Sequence, residues 1–224
     1  MISDICVVFD VDDTVYLERD YVRSGFAAVG VWADRWLGTS QFAERCFAAH
    51  EAGKRGQIFD AVLSSYGLKI TPELITTLVS IYRVHEPNIK ACPDAARTID
   101  WMSGKFPMAI ITDGPAISQS RKVEALGLDR CMSPVILTEL LGREFAKPNQ
   151  RAFTEVERIV GALRYVYIAD NPAKDFIAPR EMGWTTIRIR RPEGLHWAVD
   201  GGDPDFEFAN CDEIGRVVVS LSSK

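Results

Sequence analysis

The sequence lacks several features that would assign it to a specialised class of protein. Among its 224 residues, no apolar run approaches the ~18 residues of a membrane span. The N-terminal MISDICVVFD has no basic region and reaches an acidic residue within a few positions, so we expect a first strand and no signal peptide. Internal repeats and low-complexity segments are absent. These absences favour an ordinary globular protein with no membrane partner.

Basic residues are outnumbered by acidic ones, and cysteine is sparse. The net charge of -5 argues against a nucleic-acid partner, and an anionic substrate must then be held by local positive charge. The five cysteines show no C-x-x-C spacing, which argues against zinc and thioredoxin-like sites. An odd number without a disulfide framework suits a reducing cytosol, so we expect a cytoplasmic protein. The oligomeric state is left open.

Short apolar runs alternate with amphipathic stretches along most of the chain. Runs rich in Val, Ile and aromatic residues are typical of strands buried on both faces. The predicted strands are 5–9, 107–111, 135–137, 165–169 and 186–189, and the predicted helices are 94–104, 118–126, 150–160 and 173–182. This alternation predicts an α/β fold, a Rossmann-like parallel sheet with helices on both faces. The Gly- and Pro-rich segment 192–210 is expected to be a loop, and the last element, 212–221, has no clear type.

The segment from 19 to 89 has a different pattern, with apolar residues at helical spacing and glycines at the breaks. We predict four helices here, which form an all-helical cap inserted into the α/β core. Thr71 is the expected N-cap of the fourth helix and Pro72 its first residue. Trp32 and Trp36, four residues apart, are expected in the interior of the cap. The predicted domains are therefore a catalytic core, residues 1–18 and 90–224, and a cap, residues 19–89.

Polar residues with chemical capacity follow three of the predicted strands. ICVVF is followed by Asp10 and Asp12, PMAII by Thr112, and YVYIA by Asp170, with Asp175 five positions further on. In an open parallel sheet, ligands bind at the carboxyl ends of the strands, so these groups should converge on one crevice. Carboxylates that meet there repel one another and need a cation, and an all-oxygen cluster favours Mg²⁺ over zinc.

Four segments together resemble the motifs of the haloacid dehalogenase-like (HAD) hydrolase superfamily. They are DVDDTV from Asp10, IITDG with Thr112, AKPNQRAF with Lys147, and ADNPAKD with Asp170 and Asp175. All four occur in the family's order and span most of the core. The helical insertion after the first motif is similar to the cap of the family's first subclass. Ala169 departs from the glycine that the family often has before the first acid of its fourth motif.

The resemblance implies a role for each matching residue. Asp10 would be the nucleophile and a metal ligand. Asp12 would be the general acid and then the general base, and its backbone carbonyl would also bind the metal. Thr112, Asp113 with nearby backbone N–H groups, and Lys147 would bind the phosphoryl group. Asp170 would bind the metal directly, and Asp175 would bind it indirectly or orient Lys147.

These roles predict a magnesium-dependent phosphatase that acts on a small phosphorylated metabolite, a sugar phosphate or a nucleotide, through an aspartyl-phosphate. A phosphomutase shares every motif, and a non-catalytic binding or regulatory module on the same fold is the alternative from another class. The dehalogenase branch is disfavoured, because those enzymes lack the acid that Asp12 supplies. The phosphonate-cleaving branch needs a Schiff-base lysine in the cap, and neither Lys54 nor Lys69 has a convincing setting for that role.

Overall fold

A computed structural model of the protein describes residues 4–222. Residues 1–3 and 223–224, which belong to the predicted core domain and include the start of the predicted N-terminal segment, lie outside the described residues. Within the described part, the chain contains six strands and nine α-helices. The strands are β1 (Ile5–Phe9), β2 (Met108–Thr112), β3 (Val135–Leu137), β4 (Arg164–Ala169), β5 (Thr185–Ile189) and β6 (Phe206–Phe208). The helices are α1 (Glu18–Trp36), α2 (Phe42–Glu51), α3 (Ile58–Ser65), α4 (Pro72–Val84), α5 (Pro93–Met102), α6 (Ala116–Ala125), α7 (Arg151–Val160), α8 (Ile177–Glu181) and α9 (Ile214–Ser222).

The strands form one parallel sheet in the order β3-β2-β1-β4-β5-β6. Every residue of β1 and β2 is buried, as expected where both faces of a sheet are covered. The predicted Rossmann-like α/β fold is therefore confirmed. The first strand is central and pairs with β2 on one side and β4 on the other, so the carboxyl ends of three strands lie side by side.

Two elements differ from the sequence prediction. The segment 192–210, predicted as a loop, contains the edge strand β6, which pairs with β5. Its three residues, Phe-Glu-Phe, are too short to give a strand signal. The helix predicted over 173–182 begins only at Ile177, because Asn171 and Asp175 form a turn in which each backbone N–H donates to an oxygen of the other residue.

The chain divides into two compact units, the described parts of Met1–Glu18 with Lys90–Lys224, and Arg19–Ile89. The second unit consists of helices with their own apolar core. Thr71 caps α4 as predicted, since its Oγ1 accepts a hydrogen bond from Leu74 N at 3.2 Å. Trp32 packs against this core, but Trp36 is 64% exposed, so its predicted interior position is wrong. The functional assignment of the units as catalytic core and cap stays a prediction.

Within residues 4–222, no helix combines the length and the apolar character that a membrane crossing needs. The five cysteines are free, and Cys6, Cys46 and Cys211 are buried. The other two are partly exposed.

The core of the helical unit predicts a specific mutational cost. Leu78 is fully buried in α4, so Leu78→Ala removes apolar contacts and leaves a cavity. We expect the free energy of unfolding to fall by about 2–5 kcal/mol. Leu163→Ala is the matched control, because Leu163 is 78% exposed and should change stability by no more than about 0.5 kcal/mol. Urea unfolding followed by far-UV circular dichroism measures both, and equal losses would contradict the packing described here.

Candidate active site

Three acidic side chains converge at the carboxyl ends of β1 and β4. Asp10 follows β1 directly and Asp170 follows β4 directly, and these two strands are parallel neighbours. Asp175 reaches the same point through the turn that it forms with Asn171. One carboxylate oxygen from each of the three acids lies within 4.8 Å of the others, and all three residues are buried. The topology of the sheet thus brings Asp10 next to two acids that are 160 and 165 positions away in sequence.

A buried lysine joins two of these carboxylates. The Nζ atom of Lys147 lies 2.7 Å from Asp10 Oδ1 and 2.8 Å from Asp175 Oδ1. It also donates a hydrogen bond of 2.9 Å to Tyr167 Oη, and its side chain is completely buried. Lys147 precedes α7 and is held in place through its backbone N–H, which donates to Asp113 Oδ1 at 3.2 Å. One buried cation therefore serves two carboxylates.

The positive charge of Lys147 does not fully balance the negative charge of the three carboxylates. Burial raises the pKa of Asp10 to about 6, although Lys147 acts in the opposite direction. Burial, with the charges of Asp10 and Asp175, raises the pKa of Asp170 well above its usual range. Burial alone would lower the pKa of Lys147, but Asp10 and Asp175 outweigh it and hold that pKa well above the usual value. The cluster favours additional positive charge.

The residues fit a hard divalent cation. Three buried carboxylates supply oxygen ligands, which Mg²⁺ and Ca²⁺ prefer. Burial, with the charge of Asp175, raises the pKa values of Asp10 and Asp170, and a bound cation would oppose both shifts. Asp12 does not contribute its carboxylate to this group. Its predicted part in metal binding, through the backbone carbonyl, stays a prediction.

The carboxylate of Asp12 has a different set of partners. Lys122 Nζ lies 2.7 and 2.9 Å from its two oxygens, Gln119 Nε2 donates to Oδ2 at 3.0 Å, and the hydroxyl of Tyr16 donates to Oδ1. Burial acts to raise the pKa of Asp12, but the charge of Lys122 and the three donors outweigh it, so that the pKa lies below the usual value. The side chain of Asp12 is 23% exposed, whereas that of Lys122 is 5% exposed. Asp12 thus faces the site while its partners lie behind it.

The second predicted motif supplies a hydroxyl and a carboxylate. Thr112 ends β2 and is buried, and its Oγ1 accepts a hydrogen bond from the amide of Gln119. Asp113 accepts from Thr138 Oγ1 at 2.8 Å and pairs with Lys174 Nζ at 2.6 Å. Burial acts to raise the pKa of Asp113, but Lys147 and Lys174 lower it below the usual value. An ionised carboxylate repels phosphate, so a substrate contact from Asp113 would come from its backbone N–H.

The loop after β5 is tied to this site by buried groups. Asp13, in the left-handed region with φ 51°, accepts from Glu18 N at 2.9 Å and from Leu195 N at 2.8 Å. The fully buried Arg188 donates to the carbonyl oxygens of Asp170, at 3.1 Å, and of His196, at 2.8 Å. The loop therefore forms one wall of the cavity, and its position is fixed by these hydrogen bonds.

Comparison with known proteins identifies the family of the chain. A family model of haloacid dehalogenase-like hydrolases matches residues 6–183. The chain belongs to this family. The resemblance inferred from the four motifs is thereby confirmed, and the HAD assignment applies to most of the chain.

Two curated relatives of the chain are phosphatases by name. The chain is 29% identical over 231 residues to a glyceraldehyde 3-phosphate phosphatase of Methanopyrus kandleri, covering 96% of this chain and 97% of that protein. It is 27% identical to the glyceraldehyde 3-phosphate phosphatase of Methanocaldococcus jannaschii, covering 82% and 83%. The prediction of a HAD-like phosphatase is consistent with both names.

The fold is shared with solved HAD structures. A 2-haloacid dehalogenase from Pseudomonas syringae superposes with a TM-score of 0.66 at 22% identity, over 99% of this chain and 100% of that one. A HAD-superfamily hydrolase of subfamily IA from Geobacter sulfurreducens has a TM-score of 0.66 at 14% identity, over 96% and 97%. At such identities the likeness concerns the fold alone.

Sequence reasoning missed several residues of this HAD site. Gln119 and Lys122 lie on α6 three positions apart, so their shared face could have been noticed next to Thr112. Glu18, Lys174 and His196 line a cavity of about 150 Å³ with the acids. Lys174 lies within the fourth motif segment, where the sequence assigned it no role, and no motif includes Glu18 or His196. Burial, with nearby Asp12, raises the pKa of Glu18 to about 7.

The carboxylate cluster predicts how metal stabilisation depends on pH. An acid whose pKa is raised in the folded state contributes stability that is present at low pH and lost as the pH rises through the folded value, here about 6 for Asp10. Mg²⁺ needs the ionised form, so protons compete with it below that pH. We expect the rise in Tm on adding MgCl₂ to be larger at pH 7.5 than at pH 5.5.

The matching variants are Asp170→Asn and, as a control, Asp100→Asn, since Asp100 is an exposed acid on α5. Asp170→Asn should abolish most of the Mg²⁺-induced shift and Asp100→Asn should retain it, as measured by differential scanning fluorimetry. A shift that is independent of pH, or that survives in Asp170→Asn, would contradict the metal site.

Proposed function

We propose that this chain is a magnesium-dependent phosphomonoester hydrolase that acts on a small sugar phosphate through an aspartyl-phosphate on Asp10. The observation that carries the proposal is the placement of the Asp10 carboxylate, which lines the cavity and contacts Lys147 at 2.7 Å. The names of the curated relatives, glyceraldehyde 3-phosphate phosphatases, support a triose phosphate over a nucleotide, and hydrolysis over phosphoryl transfer between positions of a sugar.

Asp10 would attack the phosphorus atom of the substrate. Its buried carboxylate is an anion facing an anion, and Lys147 offsets part of this repulsion. The bond from an Asp10 oxygen to phosphorus forms while the bond from phosphorus to the ester oxygen breaks. Covalent catalysis divides one difficult displacement into two easier ones. Mg²⁺, held by Asp10 and Asp170, would when bound supply positive charge at the phosphoryl oxygens.

Asp12 would manage the proton in both half-reactions. In the first, the protonated form of Asp12 donates its proton to the oxygen of the leaving alcohol, which would otherwise depart as an alkoxide. Because Lys122 and the other donors outweigh burial and hold the pKa of Asp12 below its usual value, this protonated form is the minor one in the free site. In the second, the ionised Asp12 accepts a proton from the water that attacks the aspartyl-phosphate. This step releases inorganic phosphate and regenerates the Asp10 carboxylate. The hydroxyl of Thr112 would hold a phosphoryl oxygen throughout.

The presence of Asp12 also distinguishes this proposal from dehalogenation. A carbon–halogen bond breaks to release a halide, which needs no proton. The carboxylate of Asp12 is bound by three side chains that hold it at the site, where it could exchange a proton with a basic leaving group.

The nucleophile is tested by Asp10→Asn. The amide has the same shape but cannot form the aspartyl-phosphate, so phosphate release from glyceraldehyde 3-phosphate with Mg²⁺ should fall at least about 10³-fold. Asp129→Asn, at an exposed acid, is the control and should keep parental activity. Circular dichroism checks that both variants are folded. Activity of Asp10→Asn within tenfold of the parent would disprove the covalent mechanism.

The general acid is tested through its dependence on the leaving group. Asp12→Asn should lower kcat/KM for glyceraldehyde 3-phosphate by about 10²–10⁴-fold. It should affect p-nitrophenyl phosphate far less, because p-nitrophenolate leaves without a proton. Halide release from 2-chloropropionate by the parent is measured in parallel and should be absent. Equal losses on the two esters would remove the general-acid role, and halide release would overturn the phosphatase proposal.

A further inference from the structure

Two side chains of α6 are directed toward the site although they match none of the four motifs. Gln119 and Lys122 are three positions apart and therefore share a face of the helix. Gln119 is 1% and Lys122 4% exposed, so both polar groups are taken out of water. Burial of an amide and an ammonium group is costly without partners, and here the partners are residues of the catalytic site.

The lysine binds both oxygens of one carboxylate. Its Nζ lies 2.7 Å from Asp12 Oδ1 and 2.9 Å from Asp12 Oδ2. Tyr16 donates to the first oxygen, and Gln119 donates to the second at 3.0 Å. Donors on both oxygens restrict rotation of the carboxylate about its last side-chain bond, which is otherwise a broad torsion.

The amide of Gln119 also reaches the phosphoryl-binding side of the site. Its Nε2 donates to Thr112 Oγ1 as well as to Asp12 Oδ2. One amide group therefore sets the separation between the hydroxyl that would hold the phosphoryl group and the carboxylate that would carry the proton. Gly114, at φ +124°, adjoins this amide: a Cβ there would lie 3.4 Å from Gln119 Cδ.

We propose that Lys122 and Gln119 are positioning residues for the proton transfer, which fix the orientation of the Asp12 carboxylate relative to Thr112. This proposal rests on the proposed function, because it assigns to α6 the orientation of the general acid and base. Neither residue is required to touch the substrate. Lys122 acts on turnover through Asp12, and Gln119 acts through its hydrogen bonds to both Asp12 and Thr112.

The test uses Lys122→Met, which keeps the length of the side chain but removes the charge and the donors. If Lys122 acts through Asp12, kcat for glyceraldehyde 3-phosphate should fall at least about tenfold, as part of the 10²–10⁴-fold effect of a general acid. KM should change little. Turnover of p-nitrophenyl phosphate should fall by less than about threefold, because its leaving group needs no proton. Lys105→Met, at an exposed lysine that follows α5, is the matched control and should behave like the parent.

A double-mutant cycle separates positioning from a general structural effect. In an Asp12→Asn background, Lys122→Met should cause no further loss on glyceraldehyde 3-phosphate, because residues that act as one unit are not additive. Gln119→Leu should show the same dependence on leaving group. The folded state of each variant is checked by circular dichroism and thermal unfolding, and Lys122→Arg, which retains the charge, should recover part of kcat.

The outcomes are distinct. Equal losses of Lys122→Met on the two esters, or additive losses in the cycle, would overturn the positioning role while leaving Asp12 as the general acid. If Asp12→Asn itself shows no dependence on the leaving group, the general-acid assignment fails and the positioning role fails with it. The proposal is supported if Asp12→Asn and Lys122→Met each lower activity on glyceraldehyde 3-phosphate more than on p-nitrophenyl phosphate, and if Lys122→Met causes no further loss in the Asp12→Asn background.

Discussion

Three carboxylates share a buried space at the carboxyl edge of the sheet, and the remaining groups of the site serve to make that possible. Asp10, Asp170 and Asp175 bring their oxygens within 4.8 Å of one another, and Lys147 contacts two of the three. Burial, with the neighbouring negative charges, raises the pKa values of Asp10 and Asp170. The fold holds this repulsive arrangement because the acids are attached to neighbouring strands and a tight turn. Their positions are set by backbone pairing and do not depend on mutual attraction.

The same constraint explains why lysines surround the site although the protein is acidic overall. Lys147, Lys122 and Lys174 each bind one or more acids of the cavity, at distances of 2.6 to 2.9 Å. Each acid is thereby assigned a different electrostatic environment. The pKa of Asp10 is raised while those of Asp12 and Asp113 are lowered, although all three residues line the same cavity. Separation of acids by environment is what a site needs when one carboxylate must attack and another must exchange a proton.

Residues far from the reacting groups extend this network into the body of the protein. Arg188, completely buried on β5, ties the carbonyl of Asp170 to the loop that carries His196. Asp13 binds the same loop through Leu195 N. Arg188 thus uses its charge to hold one wall of the cavity in place.

Much of the site was determined locally, by the order of residues along the chain. The apolar runs that end in Asp10, Thr112 and Asp170 predict parallel strands, and parallel strands place their carboxyl ends at one edge, so the convergence of these residues follows from the pattern itself. Lys147 and Asp175 were predicted from the resemblance to the family motifs. The partners of Asp12 were decided only by tertiary packing. Gln119 and Lys122 lie more than a hundred positions away on a helix whose own sequence pattern says which face is buried but not which residue lies opposite. The short strand β6 and the anchoring of the loop before it have the same cause, because a three-residue edge strand and a loop are stabilised by what they pack against and carry little signal of their own.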